Sequence, residues 1–281
     1  MTYPMGSGLG LRQEHLATLI DDGVPDAIDF LEIAPENWMA HGGRKRQQLH
    51  ALLQQRPFVA HGLSLSIGSS DPLDEAFAED IARFLDKHHI ALYSEHLSWC
   101  SANGHLYDLL PLPFTEQAVE HVAQRVQRVQ HILGRRIALE NTSFYMAAPH
   151  SSMDEASFIR AVLETADCDL HLDINNVFVN SVNFGFDPYQ YLQALPTERI
   201  VYMHTAGHFR EAEDLVIDTH GAEVVDEVWR LLDFSYQQFG IFPTLLERDF
   251  NIPPLAELLP EIQYIKHLQQ QVTAKTAKLA P

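Results

Sequence analysis

Cysteine is nearly missing. Only Cys100 and Cys168 occur among 281 residues, and neither belongs to a Cys-x-x-Cys pair. That leaves no disulfide framework and no thiolate zinc site to build. Positive charge is also scarce: 19 Lys and Arg stand against 38 Asp and Glu, a formal charge of −19. Such a surface repels a polyanion instead of releasing its counterions, so nucleic acid is not an expected partner. No run of about 18 uncharged apolar residues occurs, and the opening MTYPMGSGLGLR has neither a basic nor an apolar export segment. No membrane association is expected, and the expected location is cytoplasmic. Histidine, by contrast, occurs 16 times. Imidazole is the commonest metal ligand, so any metal here must be held by nitrogen and oxygen.

Short apolar or β-branched runs recur eight times, at 8–11, 28–33, 57–63, 91–97, 136–142, 169–175, 199–205 and 242–248. Between them lie stretches of helical period. Residues 74–88 align Ala76, Phe77, Ile81, Phe84 and Leu85, and residues 115–133 align Val119, Val122, Val126, Val129 and Leu133. Thr115 suits a helix start and Gly134 a helix stop. Two further helices are predicted over 222–239 and 255–269. This eightfold alternation, without a linker or a composition shift, predicts an α/β fold: a single (β/α)8 TIM barrel over 1–270, its metal site at the C-terminal mouth, with a flexible tail at 271–281. The competing doubly wound sheet should carry a glycine-rich phosphate loop after its first strand. The glycines of GSGLGLR fall inside the strand instead.

In a barrel the chemistry gathers where the strands end. His61, His96 (beside Glu95), Glu140 followed by Asn141, Asp173, His204 and Glu247 close six of the eight runs. With so many acids and histidines in the chain, the count alone decides little. The setting decides more, because each residue interrupts an apolar strand whose burial makes an unpaired charge costly by several kcal/mol. Carboxylates and imidazoles converging on one axis must share protons, pair, or bind a cation. HTAGH places His208 four residues after His204, and DTHG places Asp218 and His220 two apart. An extended backbone would aim that last pair the same way, although an ordinary Asp–His hydrogen bond in a loop fits as well. Asn175 and Asn176 suit ligand orientation, substrate binding or a turn. Glu32, Glu36 and Asn37 fit either the mouth or an ordinary loop. His171 reads as a packed core histidine, and His15, with the other helix and loop histidines, as solvated surface.

FLEIAPENW, HGLSLSIG, SEHLSW, LENTSFY, LDINNVFVNS, MHTAGH, DTHG and ERDFNIPP follow one another in this order. Together they resemble the multinuclear non-haem iron-dependent oxidative enzymes, the family of the iron-containing subunit of methanobactin biosynthesis. The resemblance runs from about Gly8 to Leu268. It implies a xylose-isomerase-like TIM barrel holding two or three irons, with ligands at His61, His96, Glu140, Asp173, His204 or His208, Asp218, His220 and Glu247. It implies catalytic roles for Glu140, as a bridging carboxylate, for Asp173 and for Asn176. It also implies dioxygen as co-substrate, a ribosomally synthesised precursor peptide modified at cysteine, and a partner protein that recognises the leader. The motif order is similar, too, to that of the trinuclear zinc endonucleases, which place a histidine three residues after the sixth-strand aspartate. Asn176 stands there in this chain, which weakens a nuclease reading. The same donors would accept zinc or manganese, so a hydrolase or isomerase on this barrel is the alternative. A non-enzymatic binding subunit that keeps metal for stability is the third reading.

Overall fold

The computed structural model describes residues 3–279. Eight parallel strands close a barrel in chain order: β1 (Ser7–Gly10), β2 (Phe30–Ile33), β3 (Phe58–Gly62), β4 (Tyr93–His96), β7 (Ala138–Glu140), β8 (Asp169–Asp173), β9 (Ile200–Ala206) and β12 (Thr244–Glu247), with β12 pairing back onto β1. Two antiparallel hairpins are inserted after barrel strands, β5 (Trp99–Ser101) with β6 (His105–Leu110), and β10 (Phe209–Ala212) with β11 (Leu215–Ile217). Helices α1 (Leu16–Asp21), α2 (Glu36–Met39), α3 (Gly43–Leu53), α4 (Glu75–His88), α5 (Glu116–Leu133), α6 (Glu155–Ala166), α7 (Ile174–Phe184), α8 (Pro188–Ala194), α9 (Asp226–Phe239) and α10 (Leu255–Leu279) pack outside. Among the described residues no helix is long and apolar enough to cross a membrane.

The predicted alternation is therefore the architecture, and its local signals act as expected. Thr115 accepts a hydrogen bond from the Ala118 N–H at the start of α5, and Gly134 ends the helix in a left-handed conformation, φ 63°. The stripe Val119, Val122, Val126, Val129 and Leu133 is buried in the apolar core. Differences arise where polar side chains cut elements short. The run predicted to 175 stops at Asp173, because the Asp173 carboxylate caps α7 by accepting from the Asn176 N–H. At the other end, the helix predicted over 255–269 continues to Leu279, through residues set apart as a tail; Ala280 and Pro281 lie outside the described residues. His15 is buried, with Nε2 2.9 Å from the Pro253 carbonyl, and is not solvated.

The core has two parts. A large apolar layer lies between sheet and helices, and a small plug of Phe30, Val59, Leu92, Tyr202 and Leu245 fills the barrel interior. Side chains alternate along a strand, so the residue two positions beyond each plug member again faces the axis, one layer nearer the mouth. Those positions are Glu32, His61, Ser94, His204 and Glu247. The apolar plug thus sets the floor on which a polar layer must stand.

Candidate metal centre

The polar layer is buried. Glu32, His61, Glu140, His171, Asp173, His204 and Glu247 are all buried. On one side of the axis, His61 Nε2 and His96 Nε2 lie 3.0 and 3.2 Å from Glu140 Oε2 and 3.2 Å from each other. The ring orientations are fixed from behind. His96 Nδ1 is 3.1 Å from the Gly62 carbonyl, which can only accept, so the proton sits on Nδ1 and the Nε2 lone pair faces inward. His61 Nδ1 contacts Ser94 Oγ at 2.8 Å and leaves its Nε2 facing the same point.

At the centre, one ligand atom each from Glu140, Asp173, His204 and Glu247 lies within 4.8 Å of all the others. His204 Nδ1 is 2.9 Å from Glu247 Oε2, and its Nε2 is 3.0 Å from Glu32 Oε2. Asp173 is locked by its surroundings. The Asn141 side chain accepts from the Asp173 N–H (2.9 Å) and donates to its carbonyl (3.0 Å), while Asp173 Oδ1 accepts from the Asn176 N–H at 2.6 Å. Its Oδ2 is left buried without a hydrogen bond, as are both His171 nitrogens, and Glu140 Oε2 has only the two imidazole nitrogens beside it. Buried carboxylate oxygens without donors are what a cation would satisfy, and the nitrogen and oxygen donors around them suit a first-row metal. On this observation the residues fit a metal cluster.

The third group is nearer solvent. His220 Nε2 is 2.7 Å from Asp218 Oδ1, and its Nδ1 is 3.3 Å from Glu247 Oε2 and 3.2 Å from Asp249 Oδ2. The DTHG pair therefore does meet, but not through an extended backbone: His220 is left-handed, φ 47°. Asp218 is held by Ser143 Oγ and Asn175 Nδ2, each 2.8 Å away. Four asparagines of α7 tie this rim together. Asn175 binds Asp218, Asn176 donates to the Asn141 carbonyl, Asn180 bridges Thr142 and Phe144, and Asn183 pairs both backbone groups of Val216.

Charge in the layer is balanced by pairing. Burial opposes the His61 cation, yet the Glu140 carboxylate raises it to about 9. Burial and the charge of His61 together push His96 down to about 4. Burial disfavours the Glu140 anion, but His61 and His96 hold it below the ordinary carboxylate range. Burial and the neighbouring Glu140 push Asp173 up to about 8. Glu247 is held well below the ordinary range by His220 and His204, against the cost of burial.

The mouth opens into a cavity of about 570 Å³ whose lining includes His61, His96, Glu140, Asn176, Asp218, His220 and Glu247 below and Leu63, Phe144, Tyr145, Met146 and Phe250 above. Of the residues singled out from sequence, the structure does not bring His208 to the cluster. Its ring stacks on Phe178 and its Nδ1 contacts Asn175 Oδ1 at 2.8 Å. Asn176 keeps its side-chain Oδ1 unpartnered beside the cavity. Sequence reasoning missed Asp249 and left Glu32 open. The spacing of two from Phe30 is the signal that finds Glu32. Glu36 instead accepts from the Leu63 and Ser64 N–H groups and holds the loop that follows His61, while Asn37 is exposed. His171, expected as a packed core histidine, is buried within the layer, its ring centroid 4.0 Å from that of His204, and forms with His61 and Glu140 a further group that could hold a metal.

Residues 6–270 match the family described as RiPP precursor modification enzyme MbnB/TglH/ChrH. A UPF0276 protein of Nitrosospira multiformis is 60% identical over 264 residues, covering 94% of this chain and 93% of that one. A UPF0276 protein of Pseudomonas aeruginosa is 51% identical over 270 residues, covering 96% and 94%. Among solved structures, D-psicose 3-epimerase from Clostridium cellulolyticum superposes with a TM-score of 0.61 at 11% identity, covering 98% of this chain and 99% of that one. Endonuclease IV from Thermus thermophilus gives 0.57 at 13% identity, covering 95% and 99%. At such identities the likeness is one of fold, the xylose-isomerase-like TIM barrel.

Proposed function

Because the chain belongs to the MbnB/TglH/ChrH family of RiPP precursor modification enzymes, we propose that it oxidises cysteine in a ribosomally made precursor peptide. In this reading it uses two or three irons at the barrel mouth, dioxygen as co-substrate, and a partner protein that presents the leader. It acts in the cytoplasm, where such peptides are made. The observation that carries the reading is the buried convergence of Glu140, Asp173, His204 and Glu247, flanked by the His61–His96 pair and by His220, with no protein sulfur among them.

Iron held by these residues would supply a grip that keeps a substrate thiolate deprotonated and an activation of dioxygen for removing hydrogen from the cysteine side chain. The protein's own part follows from its geometry. Glu140 offers Oε2 to the two histidines and lies 3.8 Å from His204 Nδ1 through Oε1, which suits a carboxylate spanning two ions. Asn141 and the α7 N-terminus keep Asp173 from rotating. Asn176 donates to the Asn141 carbonyl and keeps its Oδ1 buried and unpartnered next to the cavity, a position from which it would orient neighbouring donors. Cys100 and Cys168 are both buried outside the cavity lining, so the only thiol in the site is the substrate's. The cysteine is oxidised and dioxygen is reduced.

The test is co-expression with each short cysteine-containing reading frame beside the gene, read by intact peptide mass. A mass change that needs oxygen and is lost in Glu140→Gln supports the reading. Full modification by iron-depleted protein, or under anaerobic conditions, overturns it.

A further inference from the structure

Next to the main cavity lies a second depression of about 370 Å³, lined by His208, Phe209, Thr219, Gly221, Ala222, Phe250 and Asn251. The two share Thr219 and Phe250. Phe209 and Phe250 are 54% and 64% exposed, an unusual state for two large apolar side chains bounding one hollow. The framework beneath is rigid: Asp249 N–H donates to the His220 carbonyl at 2.9 Å, Asn251 Nδ2 donates to the Gly221 carbonyl at 3.2 Å, and the His208 ring is stacked on Phe178. His208, which adds nothing to the metal-binding convergence, forms part of this hollow instead.

We infer that this depression is a specificity subsite that receives a large apolar side chain of the substrate peptide, close in sequence to the cysteine held in the main cavity. The inference rests on the peptide-modifying reading above. Continuity with the metal-lined cavity names the occupant, because a peptide whose cysteine reaches the cluster must leave across Thr219 and Phe250 or over the opposite wall. An extended chain advances about 3.3 Å per residue, so a hollow sharing a wall with the first lies within reach of a residue one or two positions away. Its phenylalanines would gain burial only when the side chain that enters is apolar.

The test uses protein loaded with metal and kept anaerobic, titrated calorimetrically with acetylated Gly-Gly-Cys-Gly-Gly amide and with variants carrying Phe or Asn at each Gly position in turn. The expected result is that Phe at one position lowers Kd about tenfold relative to Gly while Asn there does not. In Phe209→Ala that preference should disappear and the affinity of the all-Gly peptide should be unchanged. Phe209 is an exposed hairpin residue, so the variant should fold. Equal binding of all flanks, or a preference that survives Phe209→Ala, overturns the subsite while leaving the cysteine-oxidase reading intact. A dimer in sedimentation that Phe209→Asp dissociates also overturns it, assigning the hollow to a second copy. Failure of every peptide to bind a fully loaded protein overturns both.

Discussion

Adding one methyl group at Gly207 should disable the outer part of the metal centre. Gly207 follows β9 directly, between His204 and the β10–β11 hairpin. A Cβ there would sit 2.1 Å from the Ala222 carbonyl oxygen and 2.5 Å from both the Ala222 carbonyl carbon and the Glu223 carbonyl oxygen. These are backbone atoms, and an ordinary contact needs about 3.5 Å, so the segment must retreat by more than about 1 Å. The same segment carries His220, whose Nδ1 lies 3.3 Å from Glu247 Oε2. A displacement of that size is enough to lose about 100-fold in rate where reacting groups depend on fixed geometry, and overpacking costs about 1–3 kcal/mol of stability. Gly207→Ala should therefore fold, with a lower melting temperature, and lose one metal ion per chain while keeping the ion nearest His61, His96 and Glu140. Elemental analysis and thermal melts of both proteins provide the assay. Unchanged metal content with unchanged affinity would refute the reasoning, since it would mean that the loop position does not set the His220 ligand.

Metal uptake should release protons. Asp173 at about 8 and His61 at about 9 both hold a proton at pH 7, and both must give it up to bind a cation. Apparent affinity should rise with pH up to about 9 and then level off; calorimetry in buffers of different ionisation heat that finds no proton release at pH 7 contradicts this. Asn141→Leu leaves the buried N–H and carbonyl of Asp173 unpaired and should cost about 2–4 kcal/mol in chemical denaturation, whereas a loss below about 1 kcal/mol would show that other groups hold Asp173. Burial pushes the Cys168 thiol up to about 12 and also raises Cys100, so neither should react with a thiol reagent at pH 7 until the chain is unfolded. Rapid labelling of the native protein would contradict the burial of both.

The barrel was legible because each strand announces itself with an apolar run and each long helix with a stripe such as Val119, Val122, Val126 and Val129. The inner polar positions were legible for the same reason: His61, Glu140, Asp173, His204 and Glu247 break those runs, and all five are buried together. What stayed hidden depends on how loops pack in three dimensions. Asp249 sits just beyond β12 in a loop, where no periodicity marks it, and it meets His220 only because the β11–α9 loop folds back over the mouth. The spacing in HTAGH makes His208 look like a partner of His204, yet β9 ends at Ala206 and the chain turns, so His208 stacks on Phe178 outside the cluster. The hairpins after β4 and β9 stayed hidden because their strands pair only with each other, outside the regular strand–helix alternation. The role of Asn141 is a side chain replacing a backbone ladder, which no residue pattern reveals.

The central claim is that these converging donors hold a multinuclear iron site. It is tested most directly by elemental analysis and Mössbauer spectroscopy on protein purified without chelator and without oxygen. Two or three irons per chain with magnetically coupled signals are predicted. Stoichiometric zinc or manganese without iron would contradict the claim, leaving the barrel and its ligands in place but removing the dioxygen chemistry.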